Sequence, residues 1–181
     1  MISRILVLMI SALMIAMFSA GTTEQVTCYF PTNQEITDLF DLWNDALATE
    51  NSQTVANRYT DNAVLLATVS DQPRNTPALI KEYFDKFLLN KPQGVILIND
   101  PEPGCNQATD MGLYVFTFGK DGSKVKARYT FTYVLNTETQ EWKISHHHSS
   151  MLPEQFLDEG EDLSGYSLKL SLAAFLLFLL F

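Results

Sequence analysis

The hydrophobic periodicity of this chain changes once, near Gly94, and that change fixes how its layers are ordered. Before Gly94 the apolar residues recur at helical spacing, and after it they alternate. Ile36, Leu39, Phe40, Trp43 and Leu47 stand at i, i+3, i+4, i+7 and i+11, the stripe of one amphipathic helix. Thr32 and Glu35 have capping-box spacing, in which each side chain satisfies the other's orphan backbone N–H. A second short helix is expected over Gln53–Tyr59, and the apolar run Ala63–Thr68 reads as a buried strand. Thr76 followed by Pro77 is a cap with proline at the first helical position. The helix it opens carries Ile80, Phe84 and Phe87 on one face, with Leu79, Tyr83 and Leu88 beside them, and Lys91-Pro92 ends it.

Beyond Gly94 the period is two. Gly94–Ile98 and Asp110–Phe118 read as strands, and Gly119–Gly122 as a hairpin turn. Val125, Ala127, Tyr129, Phe131, Tyr133 and Leu135 then alternate with Lys124, Lys126, Arg128, Thr130, Thr132 and Val134. This strand has one apolar and one polar face. Glu138–Gln140 turns the chain, and Trp142–Ser150 is the last strand. The expected fold is α+β: a curved antiparallel sheet packed on three N-terminal helices.

Both ends are apolar. Residues 1–21 read as a secretory signal peptide, with an uncleaved anchor as the alternative: Arg4, an apolar run from Ile5 to Phe18, then small residues with cleavage after Gly21. Residues 22–33 form an N-terminal arm, 34–154 the globular domain, and 155–167 an acidic and polar linker. Residues 168–181 form an apolar tail, for which three readings stay open: a GPI-attachment signal, a short membrane anchor, or a packed helix. The chain is therefore expected in the secretory pathway, outside the cell or on its surface.

The sequence holds 12 basic and 21 acidic residues, a net charge of −9. Such a surface repels phosphate backbones, so nucleic acid is excluded as a partner. Two cysteines in a secreted chain, Cys28 and Cys105, invite one disulfide. Two free thiols are the alternative.

The densest chemistry lies in residues 145–150, where three histidines stand between serines. Plain alternation places Trp142, Ile144, His146, His148 and Ser150 on one face, and Lys143, Ser145, His147 and Ser149 on the other. Because Trp142 and Ile144 mark the first face as core, His146 and His148 are expected to point inward. There an imidazole can serve as general base. The alternatives are noncatalytic pocket polarity and plain packing. No carboxylate or thiol can be placed beside the two histidines, so no metal site is assigned. Ser149 and Ser150 lack the elbow that a nucleophilic serine needs, and no dinucleotide-binding glycine motif implies a cofactor. Arg128, on the polar face with Thr130 and Thr132, has three places open to it: the pocket, an oligomer interface or water. Trp43, Tyr59, Tyr83 and Tyr114 are candidates to line a cavity or to pack the core.

Several ordered blocks carry a family resemblance: YTDNAVLLATVS at 59–70, Tyr83-Phe84, KPQG at 91–94, GLYVF at 112–116, ARYTF at 127–131 and WKISHHHSSMLP at 142–153. Together they resemble the calcium/calmodulin-dependent protein kinase II association (hub) domain-like family. The resemblance is to its stand-alone SgcJ/EcaC-type members and covers about residues 34–154. It implies a nuclear transport factor 2-like cone, a sheet wrapped around three helices and enclosing a pocket. It also implies a partner, a second copy of the chain, together with a small-molecule ligand for the pocket. His146 stands where the stand-alone members usually carry Asp. The pocket arginines of the kinase hubs are unmatched, with Tyr133 and Ser149 near their places. The expected function is a homo-oligomerising association module held at a membrane by its tail. The alternative is a SnoaL-like isomerase or cyclase using a pocket histidine as base.

Overall fold

Local signals at each element boundary are realised in the computed structural model of the chain, which describes residues 27–152. The expected signal segment, the linker and the apolar tail lie outside the described residues, as does the start of the arm. Helix α1 spans Asn33–Ala48 and begins with the capping box of Thr32 and Glu35. Its stripe of Ile36, Leu39, Phe40, Trp43 and Leu47 is buried. Helix α2 is shorter than expected, Ser52–Ala56, because the Asn51 side chain caps it early and Asn57 closes it. Tyr59, expected at its end, instead opens strand β1, Tyr59–Leu66. Helix α3, Pro77–Phe87, is capped by the Thr76 hydroxyl. A single 3-10 turn, Leu88–Asn90, leads out of it to Lys91, which adopts the left-handed conformation at φ 50°. That conformation stops the helix one residue before Pro92.

Four long strands follow: β2 (Pro92–Gly104), β3 (Gln107–Phe118), β4 (Lys124–Asn136) and β5 (Glu141–Met151). They form one sheet in the order β1-β5-β4-β3-β2. β2 through β5 are antiparallel neighbours, but β1 joins β5 in parallel. The run β2–β5 is the expected antiparallel one, and β1 adds a parallel edge that makes the sheet mixed. The reason is topological. Helix α3 carries the chain away from β1, and the meander that follows brings β5 back alongside it in the same direction.

The helices pack against the inner face of this sheet. Trp43 is the hub of the core, with Phe84, Phe116 and Phe131 edge-on around it at 5.3–6.3 Å between ring centroids. Asn44 pins α1 to the start of β2: its carboxamide accepts from the Gly94 N–H at 2.8 Å and donates to the Gly94 carbonyl at 3.1 Å. A Cβ at Gly94 would lie only 3.0 Å from the Phe40 ring, so glycine allows this close approach. Cys28 and Cys105 form a disulfide across 4.8 Å between Cα atoms, tying the arm to the β2–β3 turn.

Candidate functional site

Alternation along β5 breaks once, and the break decides which histidine enters the molecule. Tyr133 pairs with Ile144, but its neighbour Thr132 pairs with His146. Ser145 is the extra residue of a β-bulge, its hydroxyl donating to the Thr132 carbonyl at 3.2 Å. One inserted residue reverses the facing of all that follows. Ile144, His147 and Ser149 are buried, whereas His146, His148 and Ser150 are half-buried on the outer face. The expectation that His146 and His148 point inward is thereby corrected, and it is His147 and Ser149 that do so. Arg128 also lies on the outer face. It is exposed and donates to the Met151 carbonyl at 3.4 Å, so the pocket is closed to it.

Inside, the described residues enclose a partly open cavity between α1, α3 and the inner sheet face. Trp43 comes from α1, Tyr83, Phe84 and Phe87 from α3, Leu65 from β1, Tyr114, Phe116 and Phe118 from β3, and His147 and Ser149 from β5. The space open to the centre of a water molecule is about 50 Å³. At about 15 Å³ per water, that is room for roughly three waters. Of the aromatic candidates, Trp43, Tyr83 and Tyr114 line the cavity, and Tyr59 stands behind it, bonded to His147.

His147 is tied into the core by a short chain of hydrogen bonds. The Trp43 indole N–H donates to the Tyr59 hydroxyl at 3.1 Å, and that hydroxyl lies 2.9 Å from His147 Nδ1. Indole nitrogen can only donate. Two neutral tautomers fit these contacts: Tyr59 donates to Nδ1 and the ring hydrogen sits on Nε2, or Nδ1 donates to the Tyr59 hydroxyl. Phe131 stacks on the ring at 3.9 Å and Trp43 stands edge-on at 5.3 Å. Burial, helped by the neighbouring His146 and His148, pushes the pKa of His147 down to about 3. On the outer face, burial and the charge of His148 also lower that of His146. A second chain of bonds runs from the Tyr114 hydroxyl to Ser149 Oγ at 2.5 Å, and between Ser149 Oγ and Thr68 Oγ1 at 2.5 Å. Burial raises the pKa of Tyr114 and Tyr83.

Sequence reasoning missed one buried acid. Asp110 of β3 is fully buried and accepts from the Tyr129 hydroxyl at 3.1 Å. Among the described residues its other oxygen has no partner, and neither has the nearby Tyr133 hydroxyl. Burial raises its pKa against the pull of the Tyr129 bond. The signal was available, since alternation back from Tyr114 through Gly112 puts Asp110 on the inner face. Thr68, which completes the Ser149 chain, lies beyond the end of β1 and left no comparable signal.

Helices on one face of a sheet of this strand order, with a cavity between, make the nuclear transport factor 2-like fold. Solved structures agree. A nuclear transport factor 2-like protein with a cystatin-like fold from Novosphingobium aromaticivorans superposes with a TM-score of 0.56 at 11% identity, over 68% of this chain and 83% of that one. A nuclear transport factor 2-like superfamily protein from Salmonella enterica serovar Typhimurium gives 0.55 at 15% identity, over 71% and 96%. These two show the fold alone. Residues 32–153 match the calcium/calmodulin dependent protein kinase II association domain, and the chain belongs to that family. A Xanthomonas campestris protein provisionally described as such a domain is 43% identical over 69% of this chain and 91% of its own, with a TM-score of 0.65. No curated protein matches the chain.

Proposed function

We propose that the chain is a self-associating module of the association-domain type that works outside the cytosol, with its apolar tail as a membrane tether. The observation that carries self-association is the outer face of β4 and β5. Arg128, Thr130, Thr132, His146, His148 and Ser150 stand side by side there, with Thr130 opposite His148 and Thr132 opposite His146. Among the described residues every α-helix packs on the other face of the sheet, so this strip is free to meet a second copy. A two-fold dimer would bring the same strip together from both chains. The family name, which speaks of association, supports this reading. The Cys28–Cys105 bridge supports an oxidising compartment.

The enzyme alternative gains nothing from the cavity. A general base needs a free lone pair and a pKa near the working pH. His147 lacks the second, because burial keeps the ring unprotonated down to about pH 3.

Light scattering at tens of micromolar, roughly the range for weak interfaces, tests the association. The unaltered protein is expected at twice the chain mass or more. Thr130→Glu with Thr132→Glu sets new like charges against each other across a two-fold axis and is expected to give monomers with an unchanged circular dichroism spectrum. A monomeric unaltered protein, or a double variant of unchanged mass, overturns the proposal.

A further inference from the structure

Among the described residues Arg74, Lys81, Lys86, Lys91 and Lys143 each stand 3.0–3.7 Å from a carboxylate. Lys120, Lys124, Lys126 and Arg128 have no such partner among them, and all four lie in the β3–β4 turn or at the start of β4. Lys124, Lys126 and Arg128 share the outer face of the sheet, opposite Thr117, Val115 and Leu113 of β3. Asp121 in the turn is engaged by Ser123 instead, through its backbone N–H at 2.9 Å and its hydroxyl at 2.7 Å. In a chain of net charge −9, this end of the sheet is a patch of positive charge facing solvent.

The chain leaves β5 beside this patch. Met151 pairs with Ala127, and the Leu152 N–H donates to the Lys126 carbonyl at 3.2 Å. The same register carried two residues further sets Glu154 opposite Lys124, on one face of the sheet. Pro153 suits the step between them. It falls opposite Val125, at a pair without ladder hydrogen bonds, where a backbone N–H would point away from β4. The sequence that follows is acidic: Glu154, Asp158, Glu159, Glu161 and Asp162 come before the next cation, Lys169. Residues 155–162 reach about 26 Å when extended, and Lys120 and Arg128 lie at most about 13 Å of strand from Lys124.

We propose that residues 154–162 fold back onto this patch, with Glu154 against Lys124 and the later acids against Lys120, Lys126 and Arg128. Exposed ion pairs are individually weak and salt-sensitive, so a partner arriving from solution holds such a patch poorly. A segment joined to it through Leu152 acts at an effective concentration of about millimolar. The placement is independent of self-association. Lys120, Lys124 and Lys126 lie outside the strip of β4 and β5 that meets a second copy, and Arg128 alone is common to both.

Carbodiimide joins a lysine amine to a carboxylate only where the two touch. Treatment of the intact protein as an equal mixture of unlabelled and nitrogen-15 chains, followed by peptide mass mapping, tells links within a chain from links between chains. Lys124 is expected to join Glu154, and Lys120 and Lys126 to join the later acids, all within one chain. The yield should fall about fivefold in about 1 M salt. A variant with Glu154→Gln, Asp158→Asn, Glu159→Gln, Glu161→Gln and Asp162→Asn supplies the second reading. Its Lys124 and Lys126 should be acetylated about threefold faster, because a nearby carboxylate holds an amine protonated and unreactive. Lys143, beside Glu141, should keep its rate. Links mainly between chains would put a second copy on the patch and overturn the proposal. Protection of these lysines only by phosphatidylserine vesicles would assign the patch to a lipid surface and overturn it equally. So would a lack of links to residues 154–162, or unchanged acetylation in the variant.

Discussion

At the scale of single residues, His147 joins the core to the cavity and makes stability depend on pH. Its pKa in the folded protein is about 3, against about 6.5 in an unfolded chain. Below pH 6.5 the unfolded state therefore takes up a proton that the folded state refuses. Unfolding then binds protons, so stability is complete above pH 6.5 and declines as the pH falls toward 3. Between pH 7 and pH 5 this one group should cost about 2 kcal/mol. His147→Phe keeps an aromatic ring against Phe131 and Trp43 but removes the titration. Urea unfolding should find the variant less stable at pH 7, where it lacks the Tyr59 bond, with a gap to the unaltered protein that narrows by about 2 kcal/mol at pH 5. Parallel stability curves would show that His147 is protonated in the folded protein as readily as in water. His146, on the outer face, contributes less to such a dependence because it is only half-buried.

At the scale of elements, bulges decide what the alternating strands present. β2 carries one between Ile96 and Ile98, opposite Tyr114 and Leu113 of β3, and the next pair along is Asn99 with Gly112. A Cβ on Gly112 would run into the Ile98 carbonyl and come within 2.9 Å of Asn99 Cα. Both are backbone atoms and cannot swing aside. Gly112→Ala is therefore expected to cost about 3 kcal/mol, near the upper end for overpacking. Gly122→Ala, at φ 76° in the β3–β4 turn with open space around it, should cost only about 1 kcal/mol. Chemical denaturation of both variants checks the ranking, and a similar loss at both positions would contradict it. The same devices set what could be read from the sequence. α1 was legible because Thr32, Glu35 and five spaced apolar residues all point to one helix. β4 was legible because its alternation runs unbroken from Val125 to Leu135. β5 was legible as a strand but not in its facing, since nothing about Ser145 as a residue type announces that it is extra. That one residue exchanged His147 for His146 and His148 in the cavity. The parallel pairing of β1 with β5 was hidden for another reason: its partners are about 80 residues apart, beyond any local pattern.

At the scale of the whole molecule, the arm closes a circuit that the layers alone leave open. Cys105 and Asn106 form the tip of the β2–β3 hairpin, and Asn106 adopts φ 54° there. Its carboxamide accepts from the Tyr29 N–H at 2.8 Å and donates to the Thr27 carbonyl at 3.0 Å, while its backbone N–H reaches the Tyr29 carbonyl at 2.8 Å. The Tyr29 hydroxyl bonds the Glu35 carboxylate of the capping box, and its ring lies 6.4 Å from that of Trp142 on β5. One short segment therefore touches the hairpin tip, the start of α1 and the last strand. The disulfide spans 77 residues of sequence, and a loop of that length restricts the unfolded chain by about 4 kcal/mol on the chain-entropy account. The core does not need it. Trp43, Phe84, Phe116, Phe131 and His147 pack without any contribution from the arm. Cys28→Ser with Cys105→Ser should accordingly keep the native circular dichroism spectrum while losing about 4 kcal/mol of stability. The denaturant dependence should steepen, because an unfolded chain without the cross-link exposes more surface. The unaltered protein under reducing conditions should follow the same curve. Loss of the folded spectrum in the double variant would mean that the arm is part of the folding core. An unchanged stability and slope would mean that the bridge restrains nothing in the unfolded chain.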